Sequence, residues 1–188
     1  AIDVDTLANL GPLRPLAGVW VGVKGFDINP DADAPRRQDY VEHIQLQPID
    51  PQSNGPQLLY GLRYHAHIVK PGEVETYHDQ VGYWLWDPGE GQVLRCFIVP
   101  RGVALIAGGT AAPAATTFTL VADAGSDTYG ICSNRFLDKE FKTVRYELTV
   151  TVLDRNRFHY KEDTQLRMPG RPDLFHHTDE NTLTRVMG

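Results

Sequence analysis

The chain has 188 residues, of which 41% are hydrophobic, and a formal net charge of −6 from 18 Lys and Arg against 24 Asp and Glu. This length fits one domain with a buried core, and an acidic balance without a basic run excludes the electrostatic surface that nucleic acids require. No apolar stretch approaches the roughly 18 residues of a membrane span and no export signal begins the sequence, so we expect a cytoplasmic protein.

An N-terminal segment, residues 1–13, precedes a single domain predicted over residues 14–188. Within this segment Val4, Leu7 and Leu10 are spaced by three, which indicates one short helix. We expect such a piece to close the end of a larger fold rather than to perform chemistry.

The rest of the chain is cut into short segments by Gly and Pro, which number 17 and 13. Between these cuts, apolar and polar residues alternate with period 2, which is typical of strands with one buried face. The run from Leu58 to Ile68 is a clear example, because Arg63, His65 and His67 occupy its polar phase. Strands are predicted at about 16–24, 38–47, 57–69, 75–86, 91–99, 102–108, 116–122, 128–136, 142–153, 156–168 and 179–187.

The links between these strands are short and rich in turn residues, as in Asp87–Gly91 and Asp154–Asn156, which indicates an up-and-down antiparallel meander. A meander of about ten strands hides its edges by closing into a barrel or by folding into a sandwich. We predict an all-β, about ten-stranded antiparallel up-and-down β-barrel with little helix, and a barrel of this size has room for a ligand. The segment from Gly25 to Gln38 predicts a long polar loop near the barrel mouth.

Several kinds of active site find no support in the sequence. Cys96 and Cys132 lie 36 residues apart without a CxxC spacing, so two free thiols are predicted rather than a disulfide. A Gly-x-Ser-x-Gly motif for a serine nucleophile is absent, and no glycine-rich phosphate loop follows a strand.

Seven histidines remain as candidates for chemistry. His65 and His67 share one strand face and could bind a transition metal, but spacing identifies no third ligand, so a surface position is favoured for both and for His43. His159 is also predicted to be exposed. His78 shares its strand face with Gln80, and this face would place both polar groups inside a ligand cavity if it points inward.

The pair His176 and His177 lies in the segment that leads into the last predicted strand, where we expect a loop. A neutral imidazole at a barrel mouth can bind a metal or a cofactor iron, and a neighbouring carboxylate such as Asp179 could orient its other nitrogen. The alternative is a pair of exposed loop histidines.

The segment Leu16–Gly25, with Gly18, Trp20 and Gly22, resembles the Gly-x-Trp-x-Gly-x-Gly first strand of the nitrobindin family, the heme-binding β-barrels similar to fatty-acid-binding proteins. Tyr77–Trp84 resembles that family's His-x-Glu-x-Gly-Tyr/Phe segment, and the histidines before the final strand resemble the site of its proximal heme histidine. The family histidine stands five residues before the last-strand leucine, whereas His177 stands six before Leu183.

The resemblance implies a calycin-like barrel that holds ferric heme b through His177, or through His176, and binds nitric oxide or isomerises peroxynitrite to nitrate, which would make it a peroxynitrite isomerase. The cofactor contacts expected from it are His177, His176, Trp20, Tyr60, Tyr64, His78 and Tyr83, with His177 as the metal ligand. The alternatives are a non-enzymatic intracellular carrier of a small apolar or lipid-like ligand, and a filled barrel with an interaction role. The expected partner is a small-molecule ligand in the cavity, without nucleic acid or a membrane span, and a homodimer is left open.

Overall fold

A computed structural model describes residues 1–186. The described chain begins with helix α1, Thr6–Asn9, and a 3-10 helix, Gly11–Leu16, and carries one further helix, α2, at Arg135–Glu140. The strands are β1 Gly18–Asn29, β2 Arg36–Pro48, β3 Gln52–Asn54, β4 Gln57–Val69, β5 Thr76–Asp87, β6 Gln92–Val99, β7 Val103–Thr110, β8 Thr117–Ala124, β9 Gly130–Ser133, β10 Lys142–Asp154, β11 Arg157–Arg167 and β12 Phe175–Arg185.

Ten of these strands close into a ring. Its order is β1, β2, β4, β5, β6, β7, β8, β10, β11 and β12, and the ring is completed by the pairing of β12 with β1. Two short strands stand outside this count: β3, with three residues, extends the sheet beside β4, and β9, with four, runs between β7 and β8 at one end. All ring pairs are antiparallel, which confirms the predicted barrel of about ten strands with little helix.

The period-2 alternation decides which side chains enter the barrel. In β4, Leu62, Tyr64 and Ala66 are buried, whereas the intervening Arg63 faces solvent. Successive side chains of a strand point to opposite faces, so a closed barrel sorts apolar residues inward and polar residues outward. The inner faces of the ring strands therefore meet in one continuous core.

The two N-terminal helices cover one end of the barrel. Leu10, Leu13 and Leu16 are completely buried and pack into the same core as Trp20. The Trp20 ring meets the ring of Phe158 edge to face at 4.7 Å, an arrangement that aromatic pairs favour. This end is filled by apolar side chains, and we call it the closed end.

Three predicted boundaries were wrong. The expected loop from Gly25 to Gln38 is mostly strand, because β1 continues to Asn29 and β2 begins at Arg36, which leaves residues 30–35 as the connection. The local sequence is polar, but each residue of this extension pairs across β1 and β2, as Ile28 does with Arg37. The predicted strand over 128–136 ends early because α2 begins at Arg135.

The third correction concerns His176 and His177, which lie in β12 and not in a loop. They pair with Gln165 and Thr164 of β11, so the last strand begins at Phe175, four residues before the predicted start at residue 179. No helix among residues 1–186 is long and apolar enough to cross a membrane.

Candidate functional site

A cavity of about 550 Å³ occupies the barrel at the end opposite the N-terminal helices. It is lined where β1, β4 and β6 finish and where β2, β5 and β7 begin, whereas the closed end is built from the other ends of these strands. Its volume lies within the range typical of small-molecule sites, which is roughly 300–1,000 Å³.

The part of the cavity wall toward the mouth, which we call the upper wall, is largely apolar. The apolar lining comprises Pro30, Ile68, Phe97, Val99, Val103, Leu105, Leu137, Phe141 and Leu166. Leu137 belongs to α2 and Phe141 follows it, so the helix contributes apolar groups at the mouth. Arg101 also lines the cavity, and its guanidinium donates to the carbonyl oxygen of Tyr77 at 2.8 Å.

The strand alternation separates the two adjacent histidines of β12. His177 lines the cavity, with its Nε2 at 3.8 Å from Oδ2 of Asp27, and it makes no hydrogen bond within residues 1–186. Asp27 is held in turn by the Tyr77 hydroxyl, which donates to it at 2.9 Å. His176 lies on the outer face, where its side chain is 56% exposed and its Nδ1 lies 2.7 Å from Oδ2 of Asp163.

The wall opposite His177 carries His78. In the ten-strand ring β6 lies five strands from β12 in either direction, so β6 and its neighbours face the histidine strand. His78 Nε2 lies 2.7 Å from Oε1 of Gln80, while Nε2 of Gln80 donates to the hydroxyl of Tyr64. The amide oxygen of Gln80 is therefore the acceptor for His78. Burial lowers the pKa of His78, so the ring is neutral, protonated at Nε2, and keeps Nδ1 as an acceptor.

A buried ion pair forms part of the cavity floor. Arg95 is 5% exposed, and its Nη1 lies 2.6 Å from Oε2 of Glu162. The same guanidinium donates to the hydroxyls of Tyr146 and Tyr64, and the Tyr146 hydroxyl donates to Glu162. Burial by itself would raise the pKa of Glu162, but Arg95 and these hydrogen bonds hold it below its usual value.

Asp179 shares this floor with Glu162. Burial, and then the negative charge of Glu162, raises the pKa of Asp179 well above its usual value. Asp179 therefore keeps its proton and donates it to Glu162 in a hydrogen bond, so that the pair carries one negative charge opposite Arg95. The expectation that Asp179 orients a histidine was wrong, since its partner is Glu162 and the nearest carboxyl group to His177 is that of Asp27.

A second buried carboxyl group, that of Glu42, also lines the cavity. It accepts hydrogen bonds from the Tyr160 hydroxyl at 2.7 Å and from the Asn181 amide at 3.2 Å. The Tyr40 hydroxyl lies 2.7 Å from that of Tyr160 and extends the network. Burial raises the pKa of Glu42 to about 7, despite these hydrogen bonds.

Of the seven expected cofactor contacts, the cavity lining contains His177 and His78. Trp20 and Tyr60 lie at the closed end, where their polar atoms donate to the carbonyl oxygens of Leu16 and Asp3. Tyr64 lies deeper, behind the floor, and bonds to Arg95.

The expectation that Tyr83 points inward was wrong. Tyr83 is 43% exposed on the outer face, because Trp84, one position along, takes the inward phase of β5 and is 4% exposed. His176 is likewise on the outer face.

The polar residues of the cavity that sequence reasoning missed include Asp27, Glu42, Arg95, Tyr146 and Glu162. A signal for two of them was present. Arg95 shares the phase of Val93 and Phe97, and Glu162 shares that of Phe158 and Tyr160, so each is a charged residue at an inward strand position. A charge in this phase requires a buried partner, so each of these residues signals a buried polar contact without identifying the other partner.

Other chemistries find little support in the described residues. The two cysteines are free, as predicted, and burial raises the pKa of Cys96 to about 11, which disfavours a thiolate nucleophile. Within residues 1–186 no group of three or more His, Cys, Asp or Glu side chains is arranged to hold a metal ion.

Comparisons with known proteins agree with this architecture. Residues 9–185 match a family described as the THAP4-like, heme-binding β-barrel domain. The crystal structure of Rv2717c from M. tuberculosis superimposes with a TM-score of 0.67, and 98% of this chain and 100% of that chain are covered at 21% sequence identity. That likeness shows the fold. No curated protein matches the chain.

Proposed function

Because the chain belongs to the family of THAP4-like, heme-binding β-barrel domains, we propose that His177 binds a ferric heme b in its cavity. We propose further that the iron binds nitric oxide or isomerises peroxynitrite to nitrate. Membership of this family confirms the resemblance found in the sequence and the heme cofactor that it implied. The nitrogen oxide chemistry, the cytoplasmic location and a homodimer are proposals.

The observation that carries the proposal is the state of His177. Its imidazole lines the cavity and has no hydrogen-bond partner within residues 1–186, so a nitrogen lone pair is available to a metal. Asp27 stands 3.8 Å away, and a carboxyl group near a ligating imidazole strengthens it as a donor. Imidazole is a common axial ligand of heme iron.

The rest of the cavity also fits a heme. The upper wall supplies apolar surface for the macrocycle, and Arg101 supplies a cation near the mouth for a propionate. The floor has the opposite character, because its charged groups Arg95 and Glu162 are already paired with each other and Glu42 already accepts from Tyr160 and Asn181, so a propionate there would disrupt these contacts. We therefore propose that the propionates lie toward the mouth.

A bound heme would supply an iron that can bind a small ligand. The protein groups define the surroundings of that ligand. On the wall opposite His177, Phe97 and Leu105 present apolar side chains, and His78 is held neutral with Nδ1 as an acceptor. An acceptor in an apolar wall favours a neutral or protonated ligand over an anion.

The test compares two adjacent histidines that the strand sends to opposite faces. Purified protein titrated with hemin is expected to give a Soret band, and His177→Ala is expected to abolish it. His176→Ala is the matched control, and it should leave the band unchanged because this side chain is outside the barrel. Equal Soret bands in the His177→Ala variant and the wild type would contradict the assignment.

The chemical step is tested on the hemin-loaded protein. Nitric oxide should shift the Soret band, and stopped-flow mixing should show faster decay of peroxynitrite with nitrate as the product. If hemin does not bind and apolar dyes occupy the cavity instead, the carrier alternative replaces the heme proposal.

A further inference from the structure

The outer face of β2, β4 and β5 carries a cluster of metal-binding side chains. His43 of β2 lies directly opposite His67 of β4, and His67 lies directly opposite Asp79 of β5. These three residues form one row across three neighbouring strands. His65 stands two residues before His67 on the same face of β4.

The spacing of this cluster allows its side chains to reach one ion. Directly opposed residues of antiparallel strands have Cα atoms about 4.5–5.5 Å apart, and residues i and i+2 of a strand lie about 6.5–7 Å apart. Two histidines on one strand and a third on its antiparallel neighbour can therefore turn their rings toward a common point. The sequence could not show this, because the partner of His65 and His67 lies on another strand.

The present contacts of these side chains are compatible with metal binding. Nε2 of His65 lies 3.0 Å from Oδ2 of Asp79, and Nε2 of His67 lies 3.0 Å from the Thr76 hydroxyl. His43 is exposed, and the His65 side chain is 44% exposed. Because the rings do not yet converge in the described chain, they have to rotate, and solvent-facing side chains change rotamer readily.

We propose that His43, His65 and His67 bind a divalent transition-metal ion of the zinc type, with Asp79 orienting His65 through one ring nitrogen. Three imidazoles are a sufficient ligand set for zinc and leave a fourth position to water. A carboxyl group on the second nitrogen of a ligating histidine is the usual arrangement around such ions.

This site is separate from the cavity. Asp79 faces outward, whereas its neighbours His78 and Gln80 line the cavity from the same strand. The other outward histidines pair singly with carboxyl groups, as His159 does with Glu180 at 3.2 Å. His159 therefore offers a matched control: an outward strand histidine with a carboxyl partner but without the row.

The experiment is a calorimetric titration of untagged protein with Zn²⁺. The wild type should bind one ion, and the double variant His43→Gln/His67→Gln should bind it at least 10-fold more weakly. His159→Gln should bind as the wild type does. Equal affinities in the wild type and the double variant, or an equal loss in His159→Gln, would overturn the proposal.

A second measurement counts the ligands. One equivalent of Cu²⁺ should give an electron paramagnetic resonance spectrum with couplings to three nitrogens, reduced to one in the double variant. His177→Ala should leave both metal titrations unchanged, so failure at the heme site and failure at this site are distinguishable. A spectrum with fewer than three nitrogens in the wild type would refute the three-histidine assignment.

Discussion

The two ends of this barrel are built from the same strands but from different side chains. At the closed end the inward strand residue Trp20 packs with Leu13 and Leu16 of the 3-10 helix, and all three are almost completely buried. At the cavity end the equivalent positions hold charged groups such as Arg95 and Glu162 around a hollow of about 550 Å³. The same set of strands therefore has a different role at each end. Burial of apolar side chains stabilises the closed end, whereas the cavity end keeps a hollow in which the buried charged groups must be paired with one another.

The largest expected effect is at the cavity end, where Arg95 and Glu162 form a buried ion pair. Arg95→Ala leaves Glu162 buried without its cation, and we expect the free energy of unfolding to fall by about 4 kcal/mol in urea denaturation. Arg145→Ala is the control, because its ion pair with Asp123 is partly exposed and should be worth less than about 1 kcal/mol.

A second substitution tests the cause of this loss. In Arg95→Ala/Glu162→Gln the unpaired charge is removed, so part of the lost stability should return. If the double variant is as unstable as the single variant, the loss comes from packing, and the two ends do not differ in how they are stabilised.

The next effect belongs to the closed end. Leu13→Ala removes a completely buried side chain from the 3-10 helix, and we expect unfolding to become easier by about 3 kcal/mol in the same assay. Leu137→Ala at the mouth truncates a half-buried leucine and should cost about 1 kcal/mol. Equal losses at the two sites would show that the closed end is not the main source of apolar stabilisation.

The fold was largely predictable because its signal is local. Alternation between Leu58 and Ile68 depends only on neighbouring residues, and enough such segments with short links indicate a closed sheet. The misplaced elements lack that signal. The end of β1 carries Asp27 inward, and two histidines follow Phe175 at the start of β12, so both segments are strands because of their pairing across the sheet.

The site was less predictable because its partners are distant in the chain. Arg95 and Glu162 are separated by 67 positions, and no local pattern shows that one neutralises the other. His177 was identified from the family resemblance, and alternation alone would have placed it opposite to His176 once the segment was known to be a strand. His43 joins His65 and His67 through strand register, which only the structure provides.

A smaller effect concerns the pH dependence of stability at the cavity end. Burial raises the pKa of Glu42 from 4.5 to about 7, so the folded protein holds this proton more tightly than the unfolded chain. The tighter proton binding stabilises the folded protein fully below about pH 4.5, and this stabilisation is lost as the pH rises through about 7. The free energy of unfolding changes by at most about 3 kcal/mol as a result. Glu42→Gln should remove this pH dependence. The difference in free energy of unfolding between the wild type and the variant should therefore widen between about pH 4.5 and 7. Parallel profiles would show that Glu42 titrates normally.

The smallest effect is at the mouth, where Asn134 caps α2. Its Oδ1 accepts from the backbone of Leu137 at 2.9 Å, and its side-chain amide donates to the Arg101 carbonyl at 2.7 Å. Asn134→Ala should cost about 1 kcal/mol, mostly as faster hydrogen exchange within α2. Because Leu137 and Phe141 line the mouth, hemin should dissociate faster from this variant.

Asn54→Ala is the control, since this exposed side chain bonds to Gln57 in a turn at the closed end and should alter neither the hydrogen exchange rate nor the hemin dissociation rate. Faster dissociation in Asn54→Ala as well would mean that opening of the whole barrel, and not of α2, releases the ligand.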